Sequence, residues 1–169
     1  MSNVIHVLDH GHVRLVEHMG NDLSIVRNAR VSYDAEWRAG EDEKNDTKLI
    51  NYLWRNKHSS PFEAVTFTFD IKCPMFVARQ WHRHRTWAYN EVSARYTELP
   101  EEFYVPDDSV LTTQSKSNKQ MRTDELLPEE VRQTIREGIR VQNEEAFRVY
   151  KLLLANGCPR ELARSVLPT

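Results

Sequence analysis

The sequence predicts an α+β fold, a small mixed or antiparallel sheet packed with several helices, one of them long. Three patterns carry that expectation. Val65, Phe67, Phe69 and Ile71 alternate with Thr66, Thr68, Asp70 and Lys72, the period of a strand with one apolar face. Val131, Ile135 and Ile139, then Ala146, Val149 or Tyr150, and Leu153 recur at helical spacing between Pro128 and Asn156. Residues 3–8 and 12–17 read as two short strands, with His10-Gly11 supplying the turn between them. At 169 residues the chain fits a single domain, 1–169, long enough to bury a core.

Taken in order, Val13 and Leu15 alternate with Arg14 and Val16, which predicts a buried face on the second strand. Gly20-Asn21-Asp22 offers a turn and a helix N-cap, the Asp22 carboxylate accepting from free backbone amides. Leu23, Val26 and Arg30 follow at helical spacing and carry the chain to Val31-Ser32-Tyr33. Residues 34–45 are polar and read as a loop, after which Asp46 or Thr47 caps a helix with Leu49, Ile50, Leu53 and Trp54 as its apolar stripe. Pro61 disfavours helix at Ser60, so residues 56–63 should form a shaped turn exposing hydroxyls and the His58 imidazole. The alternating strand comes next, and Pro74 can open the helix that leads into a run of arginines. Residues 100–106 read as a loop or short strand around Phe103 and Tyr104, and 108–125, poor in apolar side chains, as a mobile surface loop. Gly157 suits the C-cap of the long helix, and Pro159 opens a further helix over 160–167.

Composition narrows the function. With a net charge of -2, a generally basic surface for coating nucleic acid is not expected. Cys73 and Cys158 are far apart and form no CxxC, which speaks against a disulfide framework or zinc ribbon and for a reducing cytoplasm. No apolar run reaches membrane-spanning length, and the N-terminal residues do not read as a signal peptide.

Against this background residues 79–96 stand out, with four arginines, two histidines, two tryptophans, two tyrosines and one glutamate in eighteen residues. Crowded guanidinium groups repel one another, so an anion is expected among them. Arginine also makes bidentate contacts with phosphate and stacks on planar rings, which predicts a pocket for a planar, phosphorylated ligand. If the helix from Pro74 runs to about Arg85, then Gln80, Arg83 and His84 share a face, with Trp81 and Arg85 on a neighbouring one. Beyond Thr86 an extended backbone would point Glu91, Ser93 and Arg95 to one side. Ser93, Ala94 and Arg95 then offer a hydroxyl, a backbone amide and a guanidinium to a phosphate, at roughly 1.5–3 kcal/mol per charge-assisted hydrogen bond. Glu91 would repel a phosphate and is better suited to accept from a ring N–H or a sugar hydroxyl, or to orient an arginine.

The run Arg83-His84-Arg85-x-x-Ala88-x-x-x-x-Ser93-x-Arg95 resembles the signature of flavin-dependent thymidylate synthases, an RHR triplet followed by two serines and an arginine. Arg79-Gln80-Trp81, Tyr89-Asn90-Glu91, Asn21-Asp22, Arg30-Val31-Ser32, His58-x-x-Pro61-Phe62-Glu63 and Pro159-Arg160-Glu161-x-Ala163-Arg164 match the family's surroundings in order. Two departures stand beside the match. Ala88 replaces the first serine of the signature. Family members are also longer, and their C-terminal helical portion, with further flavin-binding asparagines and an arginine that activates uracil, is expected to be lacking here. The resemblance implies reductive methylation of deoxyuridylate (dUMP) to thymidylate, with methylenetetrahydrofolate as one-carbon donor, FAD as cofactor and NADPH as reductant. It implies nucleotide contacts from Gln80, Arg83, Glu91, Ser93, Ala94, Arg95 and Arg164. It implies flavin contacts from Ser60, Arg83, His84, Arg85 and Glu91, with His58 and Ser32 as further candidates. Arg83 and Glu91, which reach both ligands, are the catalytic candidates. A cytoplasmic homotetramer with sites between subunits is implied too, without a protein nucleophile and without nucleic-acid or membrane partners.

Blander readings stand beside these. Arg83-His84-Arg85 alone could be a solvated helix turn, since charge runs usually face water. His58 could be a turn histidine, and Trp81, Trp87, Tyr89 and Tyr96 fit core or subunit-contact positions better than flavin stacking. His82, His84 and His58 suggest a metal only superficially, because flanking arginines disfavour a divalent cation and no carboxylate pair is near, so no metal site is expected. Two alternatives come from other classes. A single-strand nucleic-acid module would use the interleaved arginines and rings for stacking. A non-catalytic remnant would bind nucleotide or flavin without turning over.

Overall fold

The structure is a computed structural model and describes residues 4–168. Residue 3 of the expected first strand and Thr169 lie outside them. Helices and small sheets are interspersed along the chain, an α+β arrangement. β1 (Val4–Val7), β2 (Gly11–Met19) and β3 (Thr66–Lys72) form a three-stranded sheet in the order β1-β2-β3. The chain divides into two compact units, one built on Val13–Ile71 and the other on Lys72 onward, with His6–His12 grouped with the second.

In the first unit, α1 (Asp22–Arg30) is capped by Asn21 and not by Asp22. The Asn21 side chain accepts from the Ser24 amide, and the Ser24 hydroxyl accepts from the Asn21 amide, so two orphan donors are satisfied reciprocally. Gly20 makes the preceding turn possible. Its φ is +81°, and a Cβ there would lie 2.4 Å from the Ala64 carbonyl oxygen. Ile25 and Val26 give α1 its buried side, packed on α2 (Glu43–Arg55) and on the 3-10 turn Ser60–Ala64.

The α2 cap is Asp42, not Asp46 or Thr47, and the expected loop over 34–45 holds a 3-10 turn at Glu36–Arg38 and the first turn of α2. Of the expected stripe on α2, Leu53 is buried while Trp54 is 73% exposed. The apolar faces of β2 and β3 also differ from expectation. Leu15, Phe67 and Phe69 are 38%, 55% and 49% exposed, so the alternation marks a face left uncovered among the described residues. Periodicity records which side chains share a face but not what lies against it.

In the second unit, α3 (Met75–Trp81) follows Pro74, whose ψ of 147° keeps it outside the helix as its cap. Residues 108–125, expected as a loop, contain a 3-10 turn at Asp108–Val110 and an antiparallel hairpin of β4 (Thr112–Gln114) and β5 (Arg122–Leu126). Polar strands with a facing Thr113–Thr123 hydroxyl pair at 2.6 Å lack the apolar alternation that would announce them. The 27-residue α4 (Glu129–Ala155) runs between Pro128 and Asn156 as expected. Gly157 follows at φ +78°, and the short α5 (Arg160–Ala163) continues into a 3-10 turn, Arg164–Val166. Phe147, Tyr150 and Ala163 are the centre of this unit's core, with Leu99, Phe103, Leu153 and Val166 packed on them. Val131, on the expected buried side of α4, is exposed.

Candidate functional site

The signature residues lie on the path from α3 to residue 97, and that path is mostly irregular. α3 ends at Trp81, and the next amides tighten, Arg83 donating to the Gln80 carbonyl at 3.3 Å and His84 to the Trp81 carbonyl at 2.9 Å. Gln80, Arg83 and His84 therefore do not share one helix face. The helix stops because no apolar side chain at 83–86 would anchor another turn, while the cations there gain from full hydration. Arg83, His84 and Arg85 are all exposed. Among the described residues Arg79, Arg83, Arg85, Arg164 and Glu91 make no ion pair.

Four rings accompany this turn. Trp81 and Trp87 lie 4.3 Å apart between centroids, and His82 and Tyr89 are stacked at 4.1 Å and 10°. The chain then turns at Ser93, where an extended run through Arg95 is expected from the spacing. The Ser93 carbonyl accepts from the Tyr96 and Thr97 amides, both at 3.0 Å, and the Ser93 hydroxyl accepts from the Arg95 amide at 3.3 Å. Ala94 is buried at this bend, so a larger side chain has no room there. Arg95 reaches α5 and pairs with Glu161 at 3.5 Å, each side chain about half exposed. Arg164 follows Glu161 by three residues and sits beside Ala163, which is fully buried. The turn is tied to the core behind it, the Leu99 amide donating to the Tyr150 hydroxyl at 3.2 Å.

The segment beyond is pinned by Lys151 to Glu101, by Lys72 to Glu102, and by the Val105 amide donating to the Asp9 carboxylate. The hydrogen bond from Lys72 holds the Glu102 carboxyl below the usual carboxylate range. Burial pushes the Cys73 thiol up, which favours the neutral form and disfavours it as a nucleophile. Both cysteines are free.

In the first unit the remaining candidates fall on three short turns. Ser32 is the middle residue of the 3-10 turn Val31–Tyr33, Ser60 starts the turn Ser60–Ala64, and His58 follows Lys57, whose φ is +57°. Asn28 donates from its side chain to the Ser60 and Pro61 carbonyls at 3.4 and 3.3 Å and so ties α1 to the Ser60 turn. The His58 imidazole stands edge-on to Tyr52 at 5.9 Å and, with Leu53, Trp54 and Phe62, lines an open hollow of about 560 Å³.

Two residues escape sequence reasoning. Asp46 is 3% exposed; its carboxylate accepts from Arg30 at 2.6 Å and from the Gly40 amide at 2.7 Å. Arg30 also donates to the Arg38 carbonyl at 2.6 Å, so one network closes the stretch that carries Ser32. A capping reading of Asp46 hid this role. Glu161, the partner of Arg95, is legible only as part of the matched string at 159–164. Among the described residues no group of three His, Cys, Asp or Glu side chains could hold a metal ion.

The exposed guanidinium groups and the Ser93–Arg95 bend of the second unit suit anionic ligands, and the hollow of the first unit sets the His58 imidazole among aromatic side chains beside Arg55 and Lys57. Comparison with known proteins agrees in kind. The family model described as thymidylate synthase complementing protein matches residues 14–169. A flavin-dependent thymidylate synthase of Treponema denticola is 48% identical over 171 residues, covering 99% of this chain and 62% of the relative. One from Thermus thermophilus is 50% identical over 167 residues, covering 97% of this chain and 57% of the relative. The chain thus spans about three fifths of the length of these relatives. A crystal structure of a UMP/dUMP methylase PolB from Streptomyces cacaoi, bound with 5-Br dUMP, superposes with a TM-score of 0.82 at 38% identity, covering 97% of this chain and 70% of that one. The chain belongs to the thymidylate synthase complementing protein family.

Proposed function

We propose that this chain takes part in the flavin-dependent reductive methylation of deoxyuridylate to thymidylate, with methylenetetrahydrofolate as one-carbon donor and NADPH as reductant. The observation that carries the reading is the set of exposed arginines at 79, 83, 85 and 164 that no described carboxylate pairs, in a chain whose net charge is -2. Unpaired guanidinium groups on a mildly acidic protein suit small phosphorylated ligands better than a polymer. Against the single-strand alternative, the rings at 81, 82, 87 and 89 stack mainly on each other.

In this reading Arg95, the Ser93 hydroxyl and the backbone around Ala94 hold the nucleotide phosphate, with Arg164 and Gln80 on the same ligand. Arg83 provides fixed positive charge beside the uracil ring and the flavin, where negative charge develops. Glu91 accepts from a ring N–H or a sugar hydroxyl. His84, Arg85 and Ser60 bind FAD, with His58 and Ser32 as further contacts. Bound FAD supplies the hydride that reduces the transferred one-carbon unit. The raised Cys73 thiol supports a route without a protein nucleophile.

The family match over 14–169 runs across both compact units and supports one functional domain. The uncovered apolar faces of β2 and β3 support a homotetramer in which other subunits cover them and complete the sites. Among the described residues no helix is long and apolar enough to cross a membrane, and a cytoplasmic location is the reading we adopt.

The test is to purify the protein, record its visible spectrum and measure tritium release from C5-labelled deoxyuridylate with NADPH and methylenetetrahydrofolate. A flavin spectrum and substrate-dependent tritium release are expected. A colourless protein that binds neither flavin nor deoxyuridylate would overturn the proposal.

A further inference from the structure

The turn that presents Arg83, His84 and Arg85 has an unusual construction. From Arg85 to Val92 no residue makes a hydrogen bond among the described residues, to backbone or to side chain. Cations at 79, 83 and 85 repel one another with no described carboxylate ion-paired to any of them, which favours a spread, open loop. Yet the chain doubles back so that residue 87 lies against residue 81 and residue 89 against residue 82. The contacts that return it are rings: Trp81 on Trp87 at 4.3 Å, His82 on Tyr89 at 4.1 Å, and Trp87 beside Tyr89 at 5.9 Å. Trp81 ends α3 and His82 is its C-cap, so one ring of each pair is carried by hydrogen-bonded helix backbone and the other by the irregular segment that follows.

We propose that Trp81, His82, Trp87 and Tyr89 form an aromatic clasp that positions Arg83, His84 and Arg85 for their anionic ligands. The role rests on the flavin and deoxyuridylate reading above. These four are positioning residues, acting through the three cations and not on substrate. Aromatic pairs in offset-stacked or edge-to-face arrangements gain beyond the area they bury. A clasp of this kind also limits the entropy lost when a ligand immobilises the loop, because the returned conformation already exists in the free protein. The tip stays hydrated and its charges stay available, since the clasp spends no hydrogen-bonding or ionic group on holding itself shut.

Tyr89 is the residue to test, because it is 55% exposed and its loss leaves no buried cavity. Tyr89→Leu keeps bulk and removes the ring, while Tyr89→Phe keeps the ring and removes the hydroxyl. Two readouts are needed. The first is limited trypsin cleavage after Arg83 and Arg85 in the ligand-free protein. Tyr89→Leu should speed it roughly three- to tenfold or more, the range set by loss of the close pair with His82 and of the looser contact with Trp87, and Tyr89→Phe should leave it unchanged. The second is the dissociation constants for FAD and deoxyuridylate, expected to rise by a similar factor in Tyr89→Leu alone, with the melting temperature of both variants close to that of the parent. Unchanged cleavage in Tyr89→Leu would overturn the clasp. Faster cleavage with unchanged ligand affinity would overturn its positioning role. If the parent protein binds neither ligand, the functional reading fails, and the cleavage experiment still decides the clasp.

Discussion

Replacing Asp46 with asparagine exchanges one carboxylate oxygen for an amide nitrogen, at a site where both oxygens accept. Oδ1 accepts a hydrogen bond from Arg30 at 2.6 Å and Oδ2 accepts one from the Gly40 amide at 2.7 Å. Whichever way the new amide is turned, its N–H group faces another donor. One charge-assisted bond is lost, roughly 1.5–3 kcal/mol, and the other becomes a bond to a neutral acceptor. Arg30 is then left charged with no anion beside it. Removing one partner of a buried pair typically costs about 3–5 kcal/mol. Here the Arg30 side chain is 20% exposed and can regain part of its hydration, so about 2–4 kcal/mol is expected.

Urea unfolding monitored by tryptophan fluorescence would measure the loss, and the melting temperature should fall on the order of 10 °C for a chain of this size. Removing both members of the pair as well, in Arg30→Met with Asp46→Leu, should recover much of the stability, because the uncompensated charge disappears. A loss in Asp46→Asn no larger than the roughly 0.5 kcal/mol of an ordinary surface change would refute the reasoning and mark the network as a contact without energetic weight.

Other positions give sharper local tests. Gly20→Ala combines a positive φ with a Cβ 2.4 Å from a backbone oxygen, so a destabilisation of roughly 2–3 kcal/mol is expected by thermal melting, and a neutral result would mean the β2 to α1 turn relaxes freely. Arg95→Ala should weaken deoxyuridylate binding roughly tenfold or more while leaving flavin affinity near that of the parent. Equal losses for both ligands would assign Arg95 a structural part through Glu161. The Glu102 carboxyl is held low by Lys72, so its folded-state stabilisation is present above the ordinary carboxylate range and fades as pH falls through the lowered value. Lys72→Met should return the Glu102 titration, followed by carbonyl NMR, toward its ordinary position; an unmoved titration would exclude the Lys72 hydrogen bond as the cause.

What was legible in the chain, and what was not, follows from how each element is held. The long helix was read to its ends because proline, glycine and a 3.6-residue apolar period all act locally. β1, β2 and β3 were legible for the same reason, yet their covering was not: alternation at Phe67 and Phe69 identifies a face and is silent about whether its partner belongs to the same chain. Asn21 and Asp22 are both good caps for α1, and only the reciprocal bonds with Ser24 decide for Asn21. Asp46 was misread for a deeper reason. Its partners, Arg30 and Gly40, are brought to it by two turns that no periodic pattern announces, so a carboxylate near a helix start looked like a cap.

The candidate site divides along the same line. Residue chemistry at 79–95 pointed to anions and planar rings whatever path the backbone took, since guanidinium groups carry their charge and geometry with them. The path itself is not legible: the spacing predicts a longer helix through Arg85 and an extended run through Arg95, and the structure has neither. The first departure comes where backbone hydrogen bonds give way to ring contacts, and the second where backbone bonds to one carbonyl turn the chain. At 82–89 the chain is returned by stacked rings, and at 93–97 it bends around the Ser93 carbonyl and hydroxyl, with Ala94 turned into the core. A sequence in which cations and rings alternate reports both the ligand and the device that presents the ligand-binding groups, and the two cannot be separated until the ring distances are known. Once they are, Trp81, His82, Trp87 and Tyr89 pair with one another and the arginines are left for the anion, a division of labour that the Tyr89→Leu and Arg95→Ala variants probe independently.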